Sequence, residues 1–230
     1  MTPDQFPSLC EAILGDDRAR VKALLRQNPA LAGAGAMKAC YESGIAHWIY
    51  VDDTALHVAA AGYRVEIARI LLAAGADVNA AKNHRRSQPL HYASDGFLEN
   101  PDWDAIRQVA MIHLLIEAGA DIRAQDKNGA TPLHRAVRTR CAAAVEFLLN
   151  AGSDMTLKNK PGSTPFHLAV QNTGRGGSGT ERARIAQREI IDAFLRRRVS
   201  PALQDAAGKT VLQWAKSGWI RQLLMSGPTD

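Results

Sequence analysis

The sequence predicts an all-α solenoid of about six helix-turn-helix units, with two loop insertions between helices. Three observations lead to this reading. A short segment recurs as Thr54-Ala-Leu-His-Val-Ala-Ala, Gln88-Pro-Leu-His-Tyr-Ala, Thr131-Pro-Leu-His-Arg-Ala and Thr164-Pro-Phe-His-Leu-Ala, with a weaker copy at Thr210-Val-Leu-Gln-Trp-Ala. A second segment keeps register with the first: Ile70-Leu-Leu-Ala-Ala-Gly-Ala-Asp, Leu114-Leu-Ile-Glu-Ala-Gly-Ala-Asp and Phe147-Leu-Leu-Asn-Ala-Gly-Ser-Asp. Apolar residues make up 46% of the chain but aromatics only 6%, a balance that suits closely packed helices. Self-similarity at a fixed period marks a stacked array of small units.

Each recurring element has a local physical reason. Thr at the start of the first segment caps a short helix, and Pro in the first helical turn removes a donor that has no intrahelical partner. The second segment carries apolar residues at helical spacing, as in Val65, Ile67, Ala68, Ile70, Leu71 and Leu72. Gly75, Gly119 and Gly152 stand where that helix stops, at a position that favours a left-handed residue. One such pair of helices cannot bury its own apolar face, so stacked neighbours must supply the core. Residues 6–14 and 17–26 read as two short helices without the Thr-Pro-Leu-His signature, a divergent N-terminal cap. Residues 204–225 hold the degenerate last copy, with Gln213 in place of His. A single domain over 1–225 is expected. It divides into a cap at 4–34, repeats at 46–80, 81–124, 125–157 and 158–203, a C-terminal cap at 204–225, and a tail at 226–230.

The coupled pattern, Thr-Pro-Leu-His-x-Ala followed by a leucine-rich helix ending in Gly-Ala-Asp, resembles the ankyrin-repeat family over nearly the whole chain. The resemblance implies a structural role for His57, His91, His134 and His167, bridging turn and helix. It also implies a concave binding groove formed by loop tips and first helices. The tip positions here are His84, Arg85 and Arg86; Lys127 and Asn128; Lys160 and Ser163; and Ala206. First-helix positions facing the groove include Arg138, Thr139, Gln171 and Asn172. Arg86 occupies a tip position where the family usually has glycine.

Departures from the plain array are the best functional signals, because loops on a rigid frame usually carry recognition. The link 32–53 is long and holds Tyr41, Trp48 and Tyr50. About ten extra residues at 95–104 and about thirteen around 172–180 are expected to project from one edge. The first insertion is acidic, and the second with its following helix carries Arg175, Arg182, Arg184 and Arg188. A composite rim site of Trp103, Arg138, Arg140, Asn172 and Arg175 is weighed against simple pairing of the acidic and basic loops. With the tips and one end of the groove added, the candidate partner-binding set is Arg85, Lys127, Asn128, Arg138, Arg140, Lys160, Asn172, Arg175, Trp103 and Tyr50.

Charge is uneven. Residues 1–124 carry 12 Lys/Arg against 15 Asp/Glu, whereas residues 125–230 carry 16 against 8. A basic half points to a partner with an acidic patch. No run of eighteen apolar residues exists, and the start lacks a basic and apolar leader, so neither a membrane segment nor a secretory signal is expected. Three dispersed cysteines fit a reducing, cytoplasmic setting.

Chemical motifs are weak. Gly174-Arg-Gly-Gly-Ser-Gly179 matches G-x-G-x-x-G but lacks the preceding strand that a dinucleotide site needs. A milder reading is one anion on its amides and Arg175. Gly208-Lys-Thr210 fails as a phosphate loop because position 203 is Leu. The repeat histidines, about 10 Å apart, cannot share one zinc. His113 reads as a core or boundary residue, and His47 and His84 as loop residues without companions. No catalytic constellation or cofactor is expected. The sequence therefore predicts a non-catalytic, monomeric protein-interaction module. Phosphate, nucleotide or nucleic-acid binding at the Gly/Arg-rich loop and basic face is the alternative.

Overall fold

The computed structural model describes residues 5–41, 45, 47–96, 98, 103–172 and 179–228. Twelve α-helices lie among these residues. They are α1 (Gln5–Leu14), α2 (Arg18–Gln27), α3 (Ala55–Ala61), α4 (Val65–Ala73), α5 (Pro89–Ser94), α6 (Ala105–Glu117), α7 (Pro132–Arg138), α8 (Ala142–Asn150), α9 (Pro165–Ala169), α10 (Glu181–Arg196), α11 (Val211–Trp214) and α12 (Gly218–Ser226). A two-stranded antiparallel ribbon, β1 (Cys40–Tyr41) with β2 (Trp48–Ile49), is the one departure from an all-helical chain among the described residues. Its second strand opens the run Trp48-Ile-Tyr-Val51, a strand-prone composition.

The helices stack in two layers. Odd-numbered helices contact one another in the order α1, α3, α5, α7, α9, α11, and even-numbered helices follow the same order behind them. The odd layer is short and buried all round: every residue of α3 is buried.

 Taken helix by helix, α5 is buried along its whole length, and α7 along all of it but Arg138. A helix that is apolar on every side must lie between neighbours. Its small residues, Ala59, Ala60, Ala93, Ala136 and Ala169, let successive first helices approach closely. The even layer buries one stripe, such as Ile67, Ala68 and Leu71 on α4 and Ala144, Val145, Leu148 and Leu149 on α8. Phe166 stacks on Phe194 across α9 and α10, with ring centroids 4.9 Å apart. Helices α6 and α10 run 13 and 16 residues against 9 for α4 and α8. Asp104 and Thr180 cap these longer helices, so part of each expected insertion is spent on extra helix.

The repeated Thr-x-x-His forms a reciprocal cap. Nδ1 of His57 accepts the Thr54 backbone N–H at 3.0 Å, and Nε2–H donates to the Ser87 carbonyl of the next unit at 2.9 Å. His91, His134 and His167 reach Ala130, Ser163 and Lys209 in the same way, at 3.0–3.1 Å. Each histidine therefore closes its own helix and fastens the following tip. At the last unit Gln213 Oε1 accepts the Thr210 N–H at 2.8 Å. His113 is a correction: it lies exposed on α6, 3.6 Å from Glu117 and edge-on to Phe147.

Two arginines occupy left-handed glycine positions. Arg86 has φ 51° where Gly129, Gly162 and Gly208 have 70°, 90° and 77°. Arg198 has φ 59° where Gly75, Gly119 and Gly152 have 90–91°. Both side chains are exposed. Arg86→Gly and Arg198→Gly should each stabilise the fold by about 0.5–1 kcal/mol and raise Tm by about 2 °C. Thermal unfolding followed by circular dichroism reads this. A lower Tm would mean that the arginine side chains make contacts that outweigh the backbone strain.

Candidate functional site

The tips are built alike. Asn83, Asp126, Asn159 and Asp205 each accept, with Oδ1, the backbone N–H four residues ahead, at 2.8–3.0 Å. Neighbouring tips are then joined through their backbones. Lys127 N–H donates to the Arg85 carbonyl at 2.7 Å, Lys160 N–H to Asn128 at 2.9 Å, and Ala206 N–H to Gly162 at 2.9 Å. The approach is close enough that a Cβ on Gly162 would come 2.4 Å from Ala206 Cβ. This ladder sets Arg85, Lys127, Asn128 and Lys160 in a row along one edge, with Lys127, Asn128 and Lys160 exposed.

At one end of the row, Arg85 Nη1 donates to the Tyr50 hydroxyl at 2.8 Å, and its guanidinium lies 5.0 Å from the Tyr50 ring centroid. His84 meets the same ring edge-on at 4.9 Å, so this loop histidine has a companion. Arg138 is exposed on α7, with Nη2 3.4 Å from Asp95. Asn172 is exposed and accepts from Ser217 Oγ at 2.8 Å. Trp103 is half-buried, with the Arg182 guanidinium 5.6 Å from its ring centroid. Arg175 falls outside the described residues.

Arg140 requires a correction. It is 4% exposed, takes a left-handed φ of 62°, and donates to the carbonyls of Ala169 and Gln171 at 3.0 and 2.6 Å. Burial lowers its pKa to about 10. Its guanidinium anchors the end of α9 from inside and is not offered to a partner.

Beneath the edge lies a polar network that sequence spacing missed. Arg135, 2% exposed, donates to Asp95 Oδ2 and Asp126 Oδ2, both at 2.8 Å, and to Ser87 Oγ at 2.6 Å. His47, from the stretch preceding β2, bonds Asp95 Oδ2 at 2.8 Å and stacks on Tyr92 at 4.5 Å, correcting its reading as a companionless loop residue. The Tyr92 hydroxyl donates to Asp53 Oδ2 at 2.7 Å, and Asn83 holds Asp53 Oδ1 at 2.8 Å. Burial alone would push the Asp95 carboxyl up. Arg135, with His47 and Arg138, outweighs that and holds it well below the usual carboxylate range. Asp95 thus ties the ribbon, α5 and α7 together instead of serving as a projecting acidic residue.

A two-layered stack of short helix pairs joined through a hydrogen-bonded row of tips defines a helical repeat scaffold. Profile comparison finds "Ankyrin repeat" at residues 52–83 and "Ankyrin repeats (many copies)" at residues 115–169. The fold is similar to the crystal structure of an ankyrin repeat domain from Acinetobacter baumannii AYE. That likeness has 25% identity and a TM-score of 0.67, and covers 97% of this chain and 98% of the other. The mouse (Mus musculus) protein "Ankyrin repeat and SOCS box protein 6" is 34% identical over 84 residues, which is 36% of this chain but only 18% of the mouse protein. The chain contains ankyrin repeats, and its fold is that of an ankyrin repeat domain. Ankyrin repeats are generally protein–protein interaction modules and typically non-enzymatic scaffolds. No helix among the described residues is long and apolar enough to cross a membrane.

Proposed function

We propose that this chain is a non-catalytic protein-binding module that takes an acidic surface of its partner along the tip row. The supporting observation is the hydrogen-bonded ladder that fixes Arg85, Lys127, Asn128 and Lys160 in line. A row of tips whose main chain is held by backbone bonds loses little backbone ordering entropy on binding. Arg138 and Asn172 extend the surface along the first helices, Tyr50 supplies an aromatic anchor at one end, and Trp103 belongs to the rim. Arg140 leaves the set because it is buried.

Lys127→Glu with Lys160→Glu changes only exposed side chains. In affinity capture from source-cell lysate, wild type should enrich a protein that this double variant loses. With the captured partner, the double variant should weaken binding by about tenfold or more, and added salt should weaken the wild-type complex. A partner held equally by both proteins, insensitive to salt, would remove the tip row from the reading. Copurification of nucleic acid alone, lost in the variant, would favour phosphate recognition instead.

A further inference from the structure

At the C-terminal end of the tip row an open cleft of about 430 Å³ is lined by Gln171, Asn172, Lys209, Trp214 and Lys216. None of its cations belongs to the tip set above. We propose that this cleft binds an extended acidic peptide segment of a protein partner; the proposal rests on the protein-binding reading.

The charge of the cleft is one-sided. Among the described residues, no carboxylate lies within salt-bridge reach of Lys209 or Lys216. The acid near them in the fold, Asp205, is already used. Its Oδ1 accepts from the backbone N–H groups of Ala207 and Lys209, and its Oδ2 accepts from Trp214 Nε1 at 2.8 Å. Lys209 and Lys216 thus line the opening without a carboxylate partner among the described residues, and a partner carboxylate would supply one.

The walls are preformed. The bond to Asp205 fixes the Trp214 indole, His167 packs edge-on to it at 5.4 Å, and Lys209 Nζ sits 5.8 Å from its centroid. On the other side the Gln171 carbonyl is held by Arg140 and by Gln187 Nε2 at 2.9 Å. The buried arginine thus positions the Gln171–Asn172 wall. The exposed amides of Gln171 and Asn172 offer donors and acceptors that match a peptide main chain. The volume lies in the range of ordinary ligand clefts and admits a few residues. Nucleic acid fits less well, because Trp214 is the one aromatic side chain lining the cleft, and single-strand binding draws on successive stacking platforms.

The test is fluorescence anisotropy with fluorescein-labelled decaglutamate at low salt, using the full chain. A ten-nucleotide oligothymidylate serves as the competing probe. Wild type should bind decaglutamate, and K209E/K216E should weaken it about tenfold. K22E, the charge change of K216E placed on an exposed lysine of α2, should leave it within about twofold. If K209E does not fold, K216E alone should still weaken binding about threefold. Equal losses in K22E and in the cleft variants would reduce the effect to net charge and overturn the proposal. Tighter, cleft-dependent binding of oligothymidylate would overturn it in favour of a phosphate ligand. The two readings separate in lysate capture: a partner held equally by wild type and K209E/K216E sinks only the cleft, whereas no protein partner at all sinks the module reading as well.

Discussion

Arg135→Met is expected to destabilise the fold by about 3–5 kcal/mol and to lower Tm by about 10 °C. The guanidinium is all but fully buried and is shared by two carboxylates and a serine hydroxyl. Methionine fills much of the same space, so lost volume is not the main effect. The main effect is that Asp95 and Asp126 would remain desolvated with their shared cation removed. Asp95 keeps His47 and Arg138, whereas Asp126 keeps only backbone donors at Asn128 and Ala130. Removing a carboxylate as well should therefore restore part of the loss, and Arg135→Met with Asp126→Asn should be more stable than the two single effects added together. Chemical denaturation of the four proteins in this cycle reads the coupling. Strict additivity would mean that the three groups do not act as a unit.

The same network gives an acid limb to stability. Asp95 and Asp126 both have carboxyl pKa values below their ordinary value of 3.8, because Arg135 outweighs the effect of burial. A lowered folded pKa means that the unfolded chain takes up protons first as pH falls. The contribution is present above about pH 3.8 and is lost below it.

What the sequence made legible follows from distance along the chain. Thr-x-x-His, Pro in the first turn and Gly after the second helix act over one to four residues, so their roles can be read locally. The tip asparagines and aspartates act over four residues and recur with the repeats. Arg135 bonds Asp95 and Ser87 across 40 and 48 residues, and His47 reaches Asp95 across 48. No periodic signal encodes those pairings, so the expected acidic loop contained a buried hub and a loop histidine became its partner. Arg140 looked like an exposed loop cation because sequence does not show which side of a left-handed turn faces inward. The C-terminal cleft joins Asn172 of one unit to Trp214 and Lys216 of a degenerate one. Its lysines were legible as charge, but not as a shared wall.

Acidification from about pH 7.5 to about pH 5 should destabilise the protein through its histidine ladder. Burial lowers the pKa of His57, His91, His134 and His167 below 6.5, and that of His91 falls to about 4. The geometry gives the reason. Nδ1 accepts a backbone N–H or a threonine hydroxyl while Nε2–H donates to the next tip, so the neutral ring satisfies both sides. A proton on Nδ1 of His91 would point at the Gln88 N–H. Since the folded pKa is lowered, the unfolded chain gains protons as pH falls through 6.5 while the folded chain does not, and stability declines down to the folded pKa. His91 alone should remove about 2 kcal/mol at pH 5 and about 3 kcal/mol at pH 4. The last unit supplies the control. Gln213 closes the same cap without a titratable group, at the one copy with no described tip beyond it to receive a donor. His91→Gln should therefore be less stable at pH 7.5, having lost the bond to Ala130, yet should lose less Tm than wild type on acidification. Thermal unfolding of both proteins across that pH range decides the matter. Parallel curves would mean that His91 is not a source of the acid sensitivity, and that the buried carboxylates around Arg135 set it alone.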